Sequence, residues 1–280
     1  MEPQSAPAPM APPPYYELAD MNTRLSSLSA PAPAAASANF AGFPAYHLGP
    51  RAAMDHAGEL GRLAGRRIKV PRESALYRHG DLVEGHFYAV QYGVIKNVRA
   101  TTDGQLRVCA FQMSGDFLAL EAIGQARHSC SAIALEDSEV REFRDDSTQS
   151  ALAHFHCVLS KQVAREQNIA LMLRNSSAEK RLAGFLLDLS WRFHARGYSA
   201  RRFHLAMPRQ DIANFLALSP ECVSRTLFQF KCAGLLAISD RDITLLDAPA
   251  LELLALGASP AESAARRSAP AQHPATRSPA

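Results

Sequence analysis

Glu221, Ser224 and Arg225 stand at i, i+3 and i+4, a spacing that projects all three side chains from one face of a helix. Their chemistry suits the edges of base pairs. Arginine can donate bidentately to guanine O6 and N7, glutamate can accept from cytosine N4, and serine can bond several bases or a phosphate. The bland alternative is an amphipathic surface helix in which Glu221 and Arg225 form an i,i+4 pair contributing about 0.2–0.5 kcal/mol.

The flanking residues favour the first reading. Ser219 is placed as an N-cap and Pro220 as the first helical residue, where a missing N–H is harmless. Val223, Leu227 and Phe230 give this helix an apolar stripe. Ile212, Ala213 and Leu216 give a preceding short helix its inward face, and Leu218 plugs the turn between them. Gly234 is a natural C-cap, and Leu235 to Ile238, Ser239 to Asp242 and Ile243 to Leu246 read as strand, turn and strand. Two helices around a tight turn, followed by a hairpin, predict a winged helix-turn-helix that binds double-stranded DNA. Arg201, Arg202, Arg209, Lys231 and Arg241 are the candidates for phosphate contacts, which set affinity without reading sequence.

Composition bounds the rest. A chain of 280 residues has room for two ordinary domains plus tails. It is 47% hydrophobic, yet no uninterrupted apolar run reaches the roughly 18 residues that span a bilayer, so no membrane helix is expected. The first residues lack the basic start and apolar core of a secretory signal, which points to a cytoplasmic protein. A net charge of +3 is too small to argue for nucleic acid, so that case rests on where the charges fall.

Composition shifts divide the chain. Residues 1–50 are dominated by Ala, Pro and Ser and are expected to be a disordered tail, as are 258–280. Residues 51–145 carry short strands at regular spacing, Ala75 to Tyr77, Phe87 to Val90, Gly93 to Val98, Leu106 to Phe111, Ser131 to Leu135 and Val140 to Phe143, with Asp103-Gly104 as a hairpin turn. They predict a small antiparallel β-barrel or jelly roll. Residues 146–174 are free of Gly and Pro from Ser147 to Leu173 and predict one long helix. Leu152, Phe155, Leu159 and Val163 form its apolar stripe, suited either to a second copy of the chain or to a face buried within one copy. Gln162, Glu166 and Asn168 interrupt the stripe, and polar groups there would make a dimer tunable. Residues 175–257 hold the helix-turn-helix.

Taken together these segments resemble the Crp/Fnr family of bacterial transcription regulators, its Fnr branch more than its cyclic-AMP branch, over about residues 66 to 256. The Glu221-x-x-Ser224-Arg225 pattern is similar to the base-reading signature of the Fnr type. Ser177 to Leu186 resembles the helix that opens the family's DNA-binding domain. Gly80-Asp81, Tyr88 to Lys96 and Gly115 to Leu118 resemble the glycine-punctuated turns of its sensor barrel. Ala217 departs from the glycine common in the family's turn, so a slightly strained turn is expected.

The resemblance implies an α+β chain with a cyclic-nucleotide-binding-type barrel, a long dimerisation helix and a C-terminal winged helix-turn-helix. It also implies a homodimer on a two-fold symmetric site with TTGA half-sites. Arg225 would meet the guanine and Glu221 the opposite-strand cytosine, with Ser224 beside them. Loops at Thr102-Asp103-Gly104 and Glu136-Asp137-Ser138 resemble the family's contacts to RNA polymerase.

The sensed signal is argued by subtraction. An Fnr-type iron–sulfur cluster needs four thiolates, three of them near the N-terminus. This chain has no cysteine before Cys109, and Arg141 stands where the remaining ligand would fall. Cyclic AMP is likewise not expected. Gly115-Asp116 and Cys130-Ser131-Ala132 occupy the places of the family's ribose-holding Glu and phosphate-holding Arg, and Arg127 is displaced by three residues.

No cofactor is therefore assigned, while haem held by one histidine for gas sensing stays open. The five cysteines match no zinc spacing and are expected mostly as small buried hydrophobes. Cys222, in the first turn of the reading helix, is the candidate for redox control. A remote alternative is a cupin-like metal enzyme using His79, His86 and His128, which lack the His-x-His spacing such a site needs.

Overall fold

The computed structural model describes residues 65–144, 149–174 and 177–257. The segments 1–50 and 258–280, expected to be disordered tails, lie outside the described residues.

Eight strands come first: β1 Arg66–Val70, β2 Ala75–Tyr77, β3 His86–Tyr92, β4 Val94–Ala100, β5 Leu106–Met113, β6 Phe117–Leu118, β7 Ser131–Ala134 and β8 Ser138–Arg144. They form two antiparallel four-stranded sheets, ordered β1-β8-β3-β6 and β2-β7-β4-β5. Of the barrel or jelly roll expected, the antiparallel strands are present, and the two sheets are not closed into a barrel. Alternation along the strands explains their core: Val90, Ile95, Leu118, Ala132, Ala134 and Val140 pack together in one buried cluster. The sequence pattern missed β1, whose Arg66, Arg67 and Lys69 mask its alternation, and β6, only two residues long.

Five helices follow, α1 Gln149–Leu173, α2 Ala178–Ala195, α3 Arg209–Leu216, α4 Pro220–Cys232 and α5 Ala248–Leu256, with strands β9 Arg202–His204, β10 Leu236–Ser239 and β11 Asp242–Leu245. The last three form an antiparallel sheet of order β10-β11-β9. On α1, Leu152 and Phe155 belong to the stretch whose side chains lie outside the described residues, Leu159 is half-buried and Val163 is exposed. Ile169, Met172 and Leu173 pack inward as part of the largest core. Gly184 permits that close approach, since a Cβ there would lie 2.8 Å from Met172 Sδ. The packing offsets the roughly 1 kcal/mol a mid-helix glycine loses against alanine. Among the described residues no helix is long and apolar enough to cross a membrane.

The largest core joins the two halves of the molecule. Val94, Val98, Val108, Phe111 and Met113 of β4 and β5 turn away from the sheet interior and pack with Leu182, Phe185, Leu186, Phe215 and Leu216 of α2 and α3. Phe111, Phe185 and Phe215 meet as a trio with centroids 5.3 to 6.1 Å apart. The helix-turn-helix thus rests on the outer face of one sheet.

Candidate nucleic-acid interface

The turn between α3 and α4 is built on Ala217, which adopts φ 52°, ψ 47°, a left-handed conformation that glycine takes without penalty. The strain expected there is present, and Arg181 braces it. Its Nη1 donates to the carbonyls of Leu216 at 3.0 Å and Ala217 at 3.2 Å. Leu218 then packs into the core and Ser219 caps α4, its Oγ accepting from the Cys222 N–H at 3.1 Å, with Pro220 in the first helical turn. The helix ends at Cys232, with Ala233 as its C-cap. The expected C-cap Gly234 lies one residue beyond, at φ 69°, the usual place for a glycine that reverses the chain.

These elements fix the two faces of α4. Val223, Thr226, Leu227 and Phe230 are buried, and Glu221, Ser224 and Arg225 are exposed on the opposite side. The Glu221 carboxyl is held below its usual range by its own backbone N–H and by Ser219, so it is an acceptor at neutral pH. Cys222 is half-exposed in the same turn.

Only some of the phosphate candidates are brought together. Arg209 opens α3 and Arg241 lies in the β10–β11 turn. Arg209 Nη2 donates to the Asp240 carbonyl at 3.5 Å, while its Nη1 is buried with no hydrogen-bond partner among the described residues. Burial and then the neighbouring Arg241 charge push the Arg209 pKa down. Two adjacent cations with an unspent donor form a local demand for an anion. Arg201 and Arg202 are exposed at the other end of β9, since Arg202 pairs with Thr244 whereas His204 pairs with Asp242 beside the turn. Lys231 is exposed at the far end of α4.

Sequence reasoning missed the contacts that seat this module. Asn214 of α3 grips the edge of β5, its Oδ1 accepting from Val108 N–H at 2.8 Å and its Nδ2 donating to the Leu106 carbonyl at 2.9 Å. Lys96 of β4 pairs with Asp211 at 2.8 Å. Asp116 accepts from Met113 N–H and pairs with Arg192 and Arg196, and Arg192 also bonds Asp188 and the Phe111 carbonyl. The available signal was the four-residue spacing of Asp188, Arg192 and the C-cap Arg196 at the end of α2.

The sensor sheets do not offer the family's ligand groups. Asp116, at the place of the ribose-holding Glu, is committed to α2, and Cys130, at the place of the phosphate-holding Arg, gives its thiol to Glu121 Oε1 at 2.9 Å. Arg127 reaches the Gly80 carbonyl at 2.6 Å, and Arg141 is buried. His86 pairs with Glu142 and His128 stacks on Tyr77. Among the described residues no three His, Cys, Asp or Glu side chains converge as a metal site.

The cysteines need correction. Of those described, only Cys130 is buried. Cys109 is exposed at the irregularity where Asn97 pairs with Ala110 and Val98 with Val108, and Cys232 ends α4 on its exposed side. Ser138 also departs from expectation. It is buried and turned to the Glu136 carbonyl, not presented to a partner.

Comparison with known proteins agrees with this geometry. Residues 67–155 match the cyclic nucleotide-binding domain and residues 180–254 the Crp-like helix-turn-helix domain. The transcriptional regulatory protein btr of Bordetella pertussis is 36% identical over 203 residues, covering 70% of this chain and 84% of btr. The chain belongs to the Crp/Fnr family. The fumarate and nitrate reduction regulatory protein of Escherichia coli K12 is 33% identical over 204 residues, 70% of this chain and 81% of that one. FixK2 from Bradyrhizobium japonicum superimposes with a TM-score of 0.61 at 26% identity, covering 70% of this chain and 100% of FixK2. As a Crp/Fnr member this chain is a DNA-binding transcription regulator, and the cupin-like enzyme reading falls.

Proposed function

We propose that the chain acts in the cytoplasm as a homodimer that reads a two-fold symmetric TTGA-type site, with two copies of α4 in successive major grooves about 34 Å apart. It does so without cyclic AMP or an Fnr-type cluster. The observation that carries this reading is the capped helix α4, which buries Val223, Leu227 and Phe230 and leaves Glu221, Ser224 and Arg225 exposed on one face. Arg225 donates to guanine, Glu221 accepts from the opposite-strand cytosine and Ser224 lies beside them. Arg209 and Arg241 hold a phosphate at the flank, with Arg201, Arg202 and Lys231 as further backbone contacts. The β10–β11 hairpin serves as the wing.

Dimerisation is supported by α1, where Leu159 and Val163 lie one turn apart on the expected stripe and Val163 is exposed. Independence from the family's ligands is supported by the commitment of Asp116 to Arg192 and Arg196 and by the buried Arg141. The exposed turns at Thr102-Asp103-Gly104 and Asp137 are the surfaces offered to RNA polymerase.

The test is binding of the reduced, ligand-free protein to a TTGAT-N4-ATCAA duplex against a scrambled one at fixed salt, because phosphate contacts make affinity salt-dependent. Selective binding by a dimer is expected. A folded dimer that binds both duplexes equally would overturn the half-site assignment.

A further inference from the structure

The exposed stripe of α4 does not stop at Arg225. Phe228 follows Arg225 at i+3 and Ser224 at i+4, which places it on the same face, about 10.5 Å along the helix from Glu221. Its side chain is 64% exposed, and it takes no part in the core that Val223, Leu227 and Phe230 form beneath the helix. The reading face is therefore polar over its first turns and then carries one large ring. A phenyl group has no donor or acceptor, so it cannot recognise guanine, cytosine or adenine by hydrogen bonding. The one apolar feature a base edge presents in the major groove is the thymine C5-methyl.

We propose that Phe228 is a specificity-determining residue whose ring packs on a thymine methyl beside the G·C pair read by Arg225 and Glu221. The inference rests on the base-reading assignment of α4 and extends it by a second kind of contact. Hydrogen bonds select the G·C pair, and the ring selects the neighbouring thymine over cytosine, whose N4 amino group would lose hydration against an apolar surface.

The experiment replaces each thymine of the bound duplex in turn, symmetrically in both half-sites, with deoxyuridine, which pairs identically and lacks only the methyl. The duplex is TTGAT-N4-ATCAA, or the sequence selected from a random pool if that one is not preferred. Wild-type protein, Phe228→Ala and Phe228→Leu are compared. At one thymine per half-site the wild type should bind about fourfold more weakly for each methyl removed, hence about sixteenfold for the symmetric pair. Phe228→Ala should bind the thymine duplex more weakly and show no uracil effect, and Phe228→Leu should keep part of it.

Equal uracil responses of wild type and Phe228→Ala at every position, with the preference for G·C intact, would overturn the role of Phe228 alone. Loss of the G·C preference in the wild type would instead overturn the reading of α4 and this inference with it. Phe228 is exposed, so its replacement leaves the core untouched and the variants report on binding.

Discussion

Arg196 Nη2 donates to Asp116 Oδ1 at 2.7 Å, so the residue that ends α2 holds a turn between the strands of the sensor sheets. Arg192 reaches the other oxygen of the same carboxylate, its side chain only 3% exposed. The carboxylate thus joins β5 and β6 to the helix that opens the DNA-binding module. Removing one member of such a buried pair strands the others.

Asp116→Ala should accordingly destabilise the protein by about 3–5 kcal/mol, read as a lower urea midpoint at unchanged slope. A loss under about 1 kcal/mol would show that water replaces the carboxylate without penalty.

The same group predicts an acid dependence. Burial alone would raise the Asp116 pKa, but Arg192, Arg196 and Arg165 outweigh it and hold the carboxyl well below its usual range. A folded pKa depressed below the unfolded value of about 3.9 gives stability that is complete above about pH 4 and lost as pH falls further through the folded value. Denaturation curves between neutral and acid pH should fall more steeply for the wild type than for Asp116→Asn, which has no such proton to bind.

Asn214→Ala should leave the Val108 N–H and the Leu106 carbonyl without the partner that now covers the β5 edge. A loss of about 1–3 kcal/mol is expected, together with faster hydrogen exchange at Val108. Unchanged exchange there would mean that α3 does not protect the strand edge in solution.

Arg225→Ala and Arg241→Ala should separate reading from holding. The first should lose about 1–3 kcal/mol of discrimination at one base pair. The second should weaken all sequences alike and reduce the salt slope by about one. The reverse pattern would exchange the two roles.

Ala217→Gly should stabilise the protein by about 0.5–1 kcal/mol, because relief of the left-handed strain exceeds the added freedom of the unfolded chain. Thermal unfolding should shift upward while DNA affinity stays the same.

Much of the reading head was legible because its determinants act within a few residues. The Ser219 cap, the first-turn Pro220 and the apolar stripe of α4 are all stated by neighbouring side chains, and together they place Glu221, Ser224 and Arg225 on one face. The strands β2, β3, β4, β5, β7 and β8 were visible through alternation and turn residues. β1 and β6 were not, because charge or brevity hides a period of two.

Only the tertiary structure decided where the first helix of the module docks and what the sensor's polar groups are used for. Asn214 meets Val108 across 106 residues of sequence, and Arg196 meets Asp116 across 80. No local period or cap encodes such pairs. Nothing in the residues beside Asp116 names its partners, and it becomes a structural carboxylate only because α2 lies against it. Likewise, the Arg209 and Arg241 charges become neighbours only because the β10–β11 turn folds back beside the start of α3. By itself the sequence determined the local elements and the chemistry of their faces, since propensity, capping and burial pattern are short-range. Which faces meet depended on packing the apolar sides of β4, β5, α2 and α3 into one core, a condition that only the whole fold satisfies.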